Sequence, residues 1–94
     1  MIDLFIGKYE YLSNFYYKPF VYDGVKYTTV EHAFQSLKTL DPEERKAVLE
    51  CNTPGKAKRM GRKVHMRSDW ENIKIQLMHD LVYAKFSQNE YIKN

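Results

Sequence analysis

The dipeptide Asp23-Gly24, set between the alternating runs 20–22 and 25–27, constrains this chain more than any other local signal. Both central residues of a two-residue type I′ turn need positive φ, which Asp and Gly tolerate, so residues 20–27 are predicted to form a β-hairpin. Pro19 stands at the strand entrance, where its missing N–H costs no ladder bond. The hairpin leads straight into residues 28–38, Thr-Thr-Val-Glu-His-Ala-Phe-Gln-Ser-Leu-Lys. A hydroxyl residue followed three positions later by Glu marks a helix start. This places Thr28 at the cap and Glu31 in the first turn, with the helix ending near Leu40. On that helix Glu31, Gln35 and Lys38 fall at i, i+4 and i+7, along one face. A carboxylate, an amide and an ammonium in line make either a site or a solvated stripe. Glu31 has a further structural role open to it, as the third helical residue of a capping box with Thr28.

Downstream, the helix signals repeat. Asp41-Pro42-Glu43-Glu44 puts a cap, a first-turn Pro and two acids at the positive end of a peripheral helix that runs to about Glu50. Thr53-Pro54 opens a short basic helix that Gly61 is expected to terminate. Between Cys51 and Ser68 there is no acid, while Lys56, Lys58, Arg59, Arg62, Lys63 and Arg67 all fall inside. Such a run is either a solvated face or an anion site. Ser68 and Glu71 have capping-box spacing at the start of a last, long helix closed by Phe86. There Trp70, Ile73, Leu77, Leu81 and Ala84, with Met78 and Val82, form an apolar stripe that reads as core. Trp70 lies at the helix end beside Arg67, where a ring can line a cleft.

Ahead of the hairpin, residues 2–6 read as a short strand closed by Gly7. Residues 9–17 mix aromatic and polar side chains with neither helical nor strand period. Ser13-Asn14 is turn chemistry. The segment is either a packed loop whose rings plug the core edge or a loop that presents Asn14 and Phe15 to a ligand.

Bulk properties narrow the function classes. The chain has 94 residues, one domain's worth, and its 29% charged and 44% hydrophobic residues read as globular. Eight Tyr and five Phe are many for this length, and Tyr favours half-buried positions such as ligand clefts. A net charge of +3 is too small for a general polycation, so any pull on anions must be local. The lone Cys51 excludes an internal disulfide and fits a reducing compartment. No apolar run approaches the ~20 residues that span a bilayer, and a cytoplasmic location is the expectation. Phosphate-binding glycine loops, dinucleotide fingerprints and serine nucleophile elbows are missing. His32, His65 and His79 lack metal-ligand spacing, and Cys51 reads as packing rather than as a nucleophile. Glu31, Lys38 and Asp69 are left as groups able to do acid, base or nucleophilic work. The fold class is mostly α (α+β): a small helical domain with one N-terminal β-hairpin.

Taken together the residues resemble the NADAR (YbiA-like) family. The matching pieces are Phe5-Ile6-Gly7-Lys8-Tyr9, Leu12-Ser13-Asn14-Phe15, and Tyr27 through Lys38 with its Glu-His-x-Phe-Gln-x-x-Lys block. Then come Ala57-Lys58-Arg59-Met60-Gly61-Arg62, Arg67-Ser68-Asp69-Trp70-Glu71 and Ala84-Lys85-Phe86, in the family's order. The resemblance implies action on the N-glycosidic bond of phosphorylated ribosides. Family activities include cleavage of early riboflavin-pathway intermediates and removal of ADP-ribose from guanine bases in nucleic acid, and the name reflects NAD and ADP-ribose metabolism. No metal or organic cofactor is implied. Carried over, Glu31 stabilises oxocarbenium charge or orients a water, and Lys38 forms a Schiff base with the ring-opened sugar once desolvation lowers its pKa. Ser13, Asn14 and Gln35 join the substrate site, Asn14 on the ribose hydroxyls. Phe15 or Trp70 stacks on the base, and Arg62 or Arg67 takes the phosphate. Family members continue past residue 94 with a Trp-Gly and an Asn-x-Leu-Gly signature that nothing here matches. The expectation is therefore one NADAR-like domain over residues 1–94, C-terminally incomplete, with uncovered apolar surface favouring self-association. The alternative to an N-glycosidase is a non-catalytic nucleotide- or ADP-ribose-binding module or subunit.

Overall fold

The computed structural model describes residues 18–88; the expected strand at 2–6 and the ligand loop with Ser13, Asn14 and Phe15 lie outside them. Strands β1 (Phe20–Tyr22) and β2 (Val25–Tyr27) pair antiparallel, with Phe20 opposite Tyr27 and Tyr22 opposite Val25. Asp23 and Gly24 both have positive φ, 53° and 80°, as the two-residue turn requires. Phe20 and Tyr27 bury their rings as a cross-strand pair, centroids 5.8 Å apart, while Val21 and Val25 are exposed.

Four helices follow among the described residues: α1 (Val30–Ser36), α2 (Pro42–Leu49), α3 (Pro54–Gly61) and α4 (Trp70–Gln88). Helix α1 is the hub, packed against the other three and touching β2, and β1 leans on α4. The core joins Phe20, Tyr27, Val30 and Ala33 to Leu81, Val82 and Ala84, with Phe34, Leu37, Leu49, Leu77, Met78 and Phe86 packed around it. The Gln88 side chain accepts from the Val21 N–H and donates to the Val21 carbonyl, both at 2.7 Å, so α4 satisfies the outer backbone of β1.

The caps of α2 and α3 are those expected. Asp41 accepts from the Glu43 N–H, Thr53 accepts from the Lys56 N–H, and each is followed by Pro. Helix α1 differs from expectation. Its cap is Thr29, not Thr28: the Thr29 hydroxyl accepts from the His32 N–H at 3.0 Å and lies 2.8 Å from His32 Nδ1. Since Nε2 of the same ring sits 2.8 Å from the Cys51 carbonyl, Nε2 donates there and Nδ1 accepts the Thr29 proton. A ring that gives the second threonine another bond settles which of the two caps. Glu31 is thereby the second helical residue, out of register for a capping box. The helix also stops at Ser36, and Lys38 stands in the turn beyond, its N–H on the Gln35 carbonyl at 3.3 Å.

Helix α4 begins at Trp70, with the Asp69 carbonyl as first acceptor for Asn72 and Ile73, and it continues to Gln88 rather than closing at Phe86. Glu71 pairs with Lys74 at 2.7 Å instead of reaching back to Ser68. Among the described residues, no helix is long and apolar enough to cross a membrane.

Candidate active site

Glu31 is buried, at 6% exposure, on the first turn of α1. Gln35, one turn on, donates from Nε2 to Glu31 Oε2 at 2.7 Å. That bond fixes the amide orientation and aims Gln35 Oε1 away from the carboxylate, where it is buried without a hydrogen-bond partner among the described residues. The oxygen lies against Gly61, where a Cβ would overlap it, so Gly61 clears the space the amide occupies as α3 crosses α1. The expected termination role is secondary, since Gly61 is the last helical residue and Arg62 the C-cap.

Lys38 is half-buried, and its carbonyl accepts from the Arg67 N–H at 2.9 Å. Its side chain lines a groove of ≈ 580 Å³ with Phe34, Trp70, Lys74, Ile75, Met78 and His79. Phe34 and Trp70 pack ring on ring, centroids 4.8 Å apart and planes inclined by 56°. The groove therefore gathers Lys38 and Trp70 from the predicted set. Glu31 and Gln35 sit a turn earlier on α1 and are not among its lining residues.

The two arginines are placed apart from this groove. Arg67 donates from Nε and Nη2 to the two oxygens of Asp69 at 2.7 and 3.2 Å, and from Nη1 to the Leu37 carbonyl at 3.3 Å. The guanidinium holds the Asp69 carboxyl below its ordinary range. Arg67 lines a second, polar groove of ≈ 400 Å³ on the opposite side of α4, with Arg45, Asp23, Asp80 and Gln76 among its walls. Arg62 is exposed at the end of α3.

Phe34, Lys74, Met78 and His79 were not singled out as site residues from sequence. Their signal is periodic: Lys74 and Met78 follow Trp70 at i+4 and i+8, so they share its side of the helix. Lys85 is fully buried, and burial, helped by the charge of Lys18, pushes its pKa down to about 8. Elsewhere Glu44 accepts from the Thr39 hydroxyl and from the His65 N–H, with His65 Nδ1 2.7 Å away, bonds that pull its carboxyl down to about 2. No cluster of three or more His, Cys, Asp or Glu able to hold a metal occurs among the described residues.

Comparison with known proteins agrees with this architecture. The chain is 37% identical over 87 residues to the N-glycosidase YbiA of Escherichia coli, covering 90% of this chain and 54% of the relative. A riboflavin biosynthesis protein of Vibrio vulnificus is 31% identical over 81 residues, 84% of this chain and 22% of that one. The NMR structure of E. coli YbiA superposes with a TM-score of 0.73 and 38% identity, over 87% of this chain and half of the other. The chain thus spans about half the length of the YbiA relatives it matches. The NADAR domain matches residues 4–94, and the chain belongs to the NADAR domain family.

Proposed function

We propose that the chain takes part in N-glycosidase chemistry, with Glu31 and Lys38 acting at C1′ of a phosphorylated riboside. The observation that carries this reading is the burial of Glu31, whose carboxylate is free of the helix cap and tied through Oε2 to the Gln35 amide. As a base leaves C1′, positive charge grows on the ribose. A carboxylate fixed away from water stabilises that charge far better than an exposed one. The C–N bond breaks with its electron pair going to the base, which takes up a proton. A water oxygen then bonds C1′ and gives its proton to Glu31. In the covalent variant the Lys38 amine, having lost its proton, attacks C1′ instead, and water later hydrolyses the imine of the ring-opened sugar. The names of the relatives support the bond class. The finer substrates, a riboflavin-pathway riboside phosphate or ADP-ribose on a guanine base of nucleic acid, follow from the family resemblance.

Glu31→Gln tests the assignment. An amide still accepts from Gln35, so stability should change by about 1 kcal/mol or less, while cleavage of a riboside phosphate should fall by roughly 100-fold or more. Retained turnover would remove Glu31 from the chemistry. Borohydride trapping of a sugar adduct on the wild type but not on Lys38→Arg would favour the covalent variant. Nucleotide or ADP-ribose binding without cleavage is the second reading. It is favoured by the absence of Glu31 from the lining of the described groove.

A further inference from the structure

We infer that the groove between α1 and α4 seats the base and phosphate of the ligand, with Phe34 as the ring the base meets and Lys74 as the cation that takes the phosphate. The glycosidase reading contributes only the ribosyl link between these two groups; a seat for a flat anion stands on the chemistry of the groove itself. At ≈ 580 Å³ the groove has the volume of small-ligand sites, about 300–1,000 Å³. Its α4 wall runs from Trp70 to His79, roughly 13 Å at the helical rise.

Trp70 is only 4% exposed, and its ring is already covered by Phe34. Phe34 is the partly open member of the pair, so a ligand meets Phe34 and Trp70 backs it. Charge selects the kind of flat ligand. Among the described residues, Lys38 and Lys74 both line the groove and no carboxylate does, whereas Asp23 and Asp80 line the groove across α4 and Glu50 lines a third. Lys74 does have a neighbour in Glu71, 2.7 Å away, but this is an i,i+3 pair whose carboxylate is exposed, of the weak surface kind. A phosphate in the groove can displace it. Lys38, one wall away and without an ion pair among the described residues, is left for the sugar.

Trp70 is the sole tryptophan of the chain, so its emission reports on this groove independently of turnover. The 94-residue chain is titrated with uridine 5′-monophosphate and with uridine. The monophosphate is expected to bind more tightly and to weaken as salt rises. Lys74→Gln should weaken the monophosphate about tenfold and Lys74→Glu more, both leaving uridine unchanged. Glu71→Gln should tighten the monophosphate by freeing the ammonium, and Phe34→Leu should weaken both ligands alike. Equal affinity of the two ligands, no response of Trp70, or a monophosphate affinity indifferent to both Lys74 variants overturns the assignment. Lys74 is only half-buried and outside the core, so its variants keep the test meaningful even if Phe34→Leu unfolds. Monophosphate binding in a chain that cleaves no riboside would favour the binding-module reading and leave this seat standing. Cleavage with Lys74-independent binding would do the reverse.

Discussion

Gly61 and Gln35 meet where α3 crosses α1, and at this contact a single methyl group decides whether the Gln35 amide keeps its place. Alanine is the better helix former by about 1 kcal/mol, and Gly61 has no positive φ to protect. Yet its Cβ would overlap the end of the Gln35 side chain, and overpacking of this kind costs roughly 1–3 kcal/mol unless the neighbour moves. We expect Gly61→Ala to displace Gln35, destabilise the protein by about 1 kcal/mol net, and lower turnover by releasing Glu31. Gly61→Ala in a Gln35→Ala background should instead be neutral or stabilising, which a four-variant unfolding cycle reads directly. Glu44, held by the Thr39 hydroxyl and by His65, ties stability to pH at the same scale. Hydrogen bonding lowers the Glu44 carboxyl to about 2, so its contribution is present above the ordinary carboxylate value of 4.5 and is lost as pH falls toward 2. His65 is raised above 6.5 by that carboxylate, so the charged pair adds stability below 6.5 and loses it as pH rises through the shifted value. The pair is complete between about 4.5 and 6.5. An NMR titration should place the His65 midpoint above 6.5 and return it there in Glu44→Gln; an unchanged midpoint would mean that the pair does not form in solution.

Helix α1 separates what local sequence decides from what it leaves open. The hairpin and the Asp41-Pro42 and Thr53-Pro54 caps were legible because each rests on contacts within a few residues. The apolar stripe of α4 was legible in part from its period: Leu77, Leu81, Val82 and Ala84 join the core, whereas Ile73 lines the polar groove and Trp70 and Met78 line the apolar one. The cap of α1 was not, since Thr28 and Thr29 offer the same hydroxyl. The choice rests on the His32 ring, which turns toward Thr29 because the Cys51 carbonyl, nineteen positions away, holds its other nitrogen. Thr29→Ala should therefore cost about 2 kcal/mol, a lost cap plus a buried ring nitrogen left without its donor. Thr28→Ala should cost about 0.5 kcal/mol or less, as for a residue outside such features. Equal losses in chemical denaturation would contradict the assigned cap. The same shift explains why the Glu31–Gln35–Lys38 line was only partly readable. Glu31 and Gln35 touch as i,i+4 partners, but α1 ends at Ser36 and leaves Lys38 in a turn whose direction tertiary contacts decide. Of the α4 residues, sequence reasoning took the core stripe and passed over Lys74, because one charged residue on a long helix carries no mark until a groove forms beside it.

Across the whole molecule, α4 divides two grooves of opposite character, and Arg67 belongs structurally to the polar one. The basic run of residues 51–68 is readable as charge in the sequence, but not the destination of each cation. Arg67 is half-buried, chelates Asp69, reaches the Leu37 carbonyl and ties its own backbone to Lys38. It staples the segment before α4 onto the turn that ends α1, and so fixes where Lys38 enters the apolar groove. This staple predicts how the phosphate role first read for Arg67 should fare. Arg67→Gln removes two or three charge-assisted bonds from a partly exposed site and should lower unfolding stability by roughly 1–2 kcal/mol, discounted for solvent screening. In the fraction that stays folded, the salt dependence of uridine monophosphate binding should be preserved, because the charge that senses the phosphate is still present on Lys74. An arginine that held the phosphate would give the opposite pattern: near-normal stability, weaker binding, and a flatter response to salt. Measuring both quantities on Arg67→Gln and Lys74→Gln side by side distinguishes a residue that builds the site from one that meets the ligand.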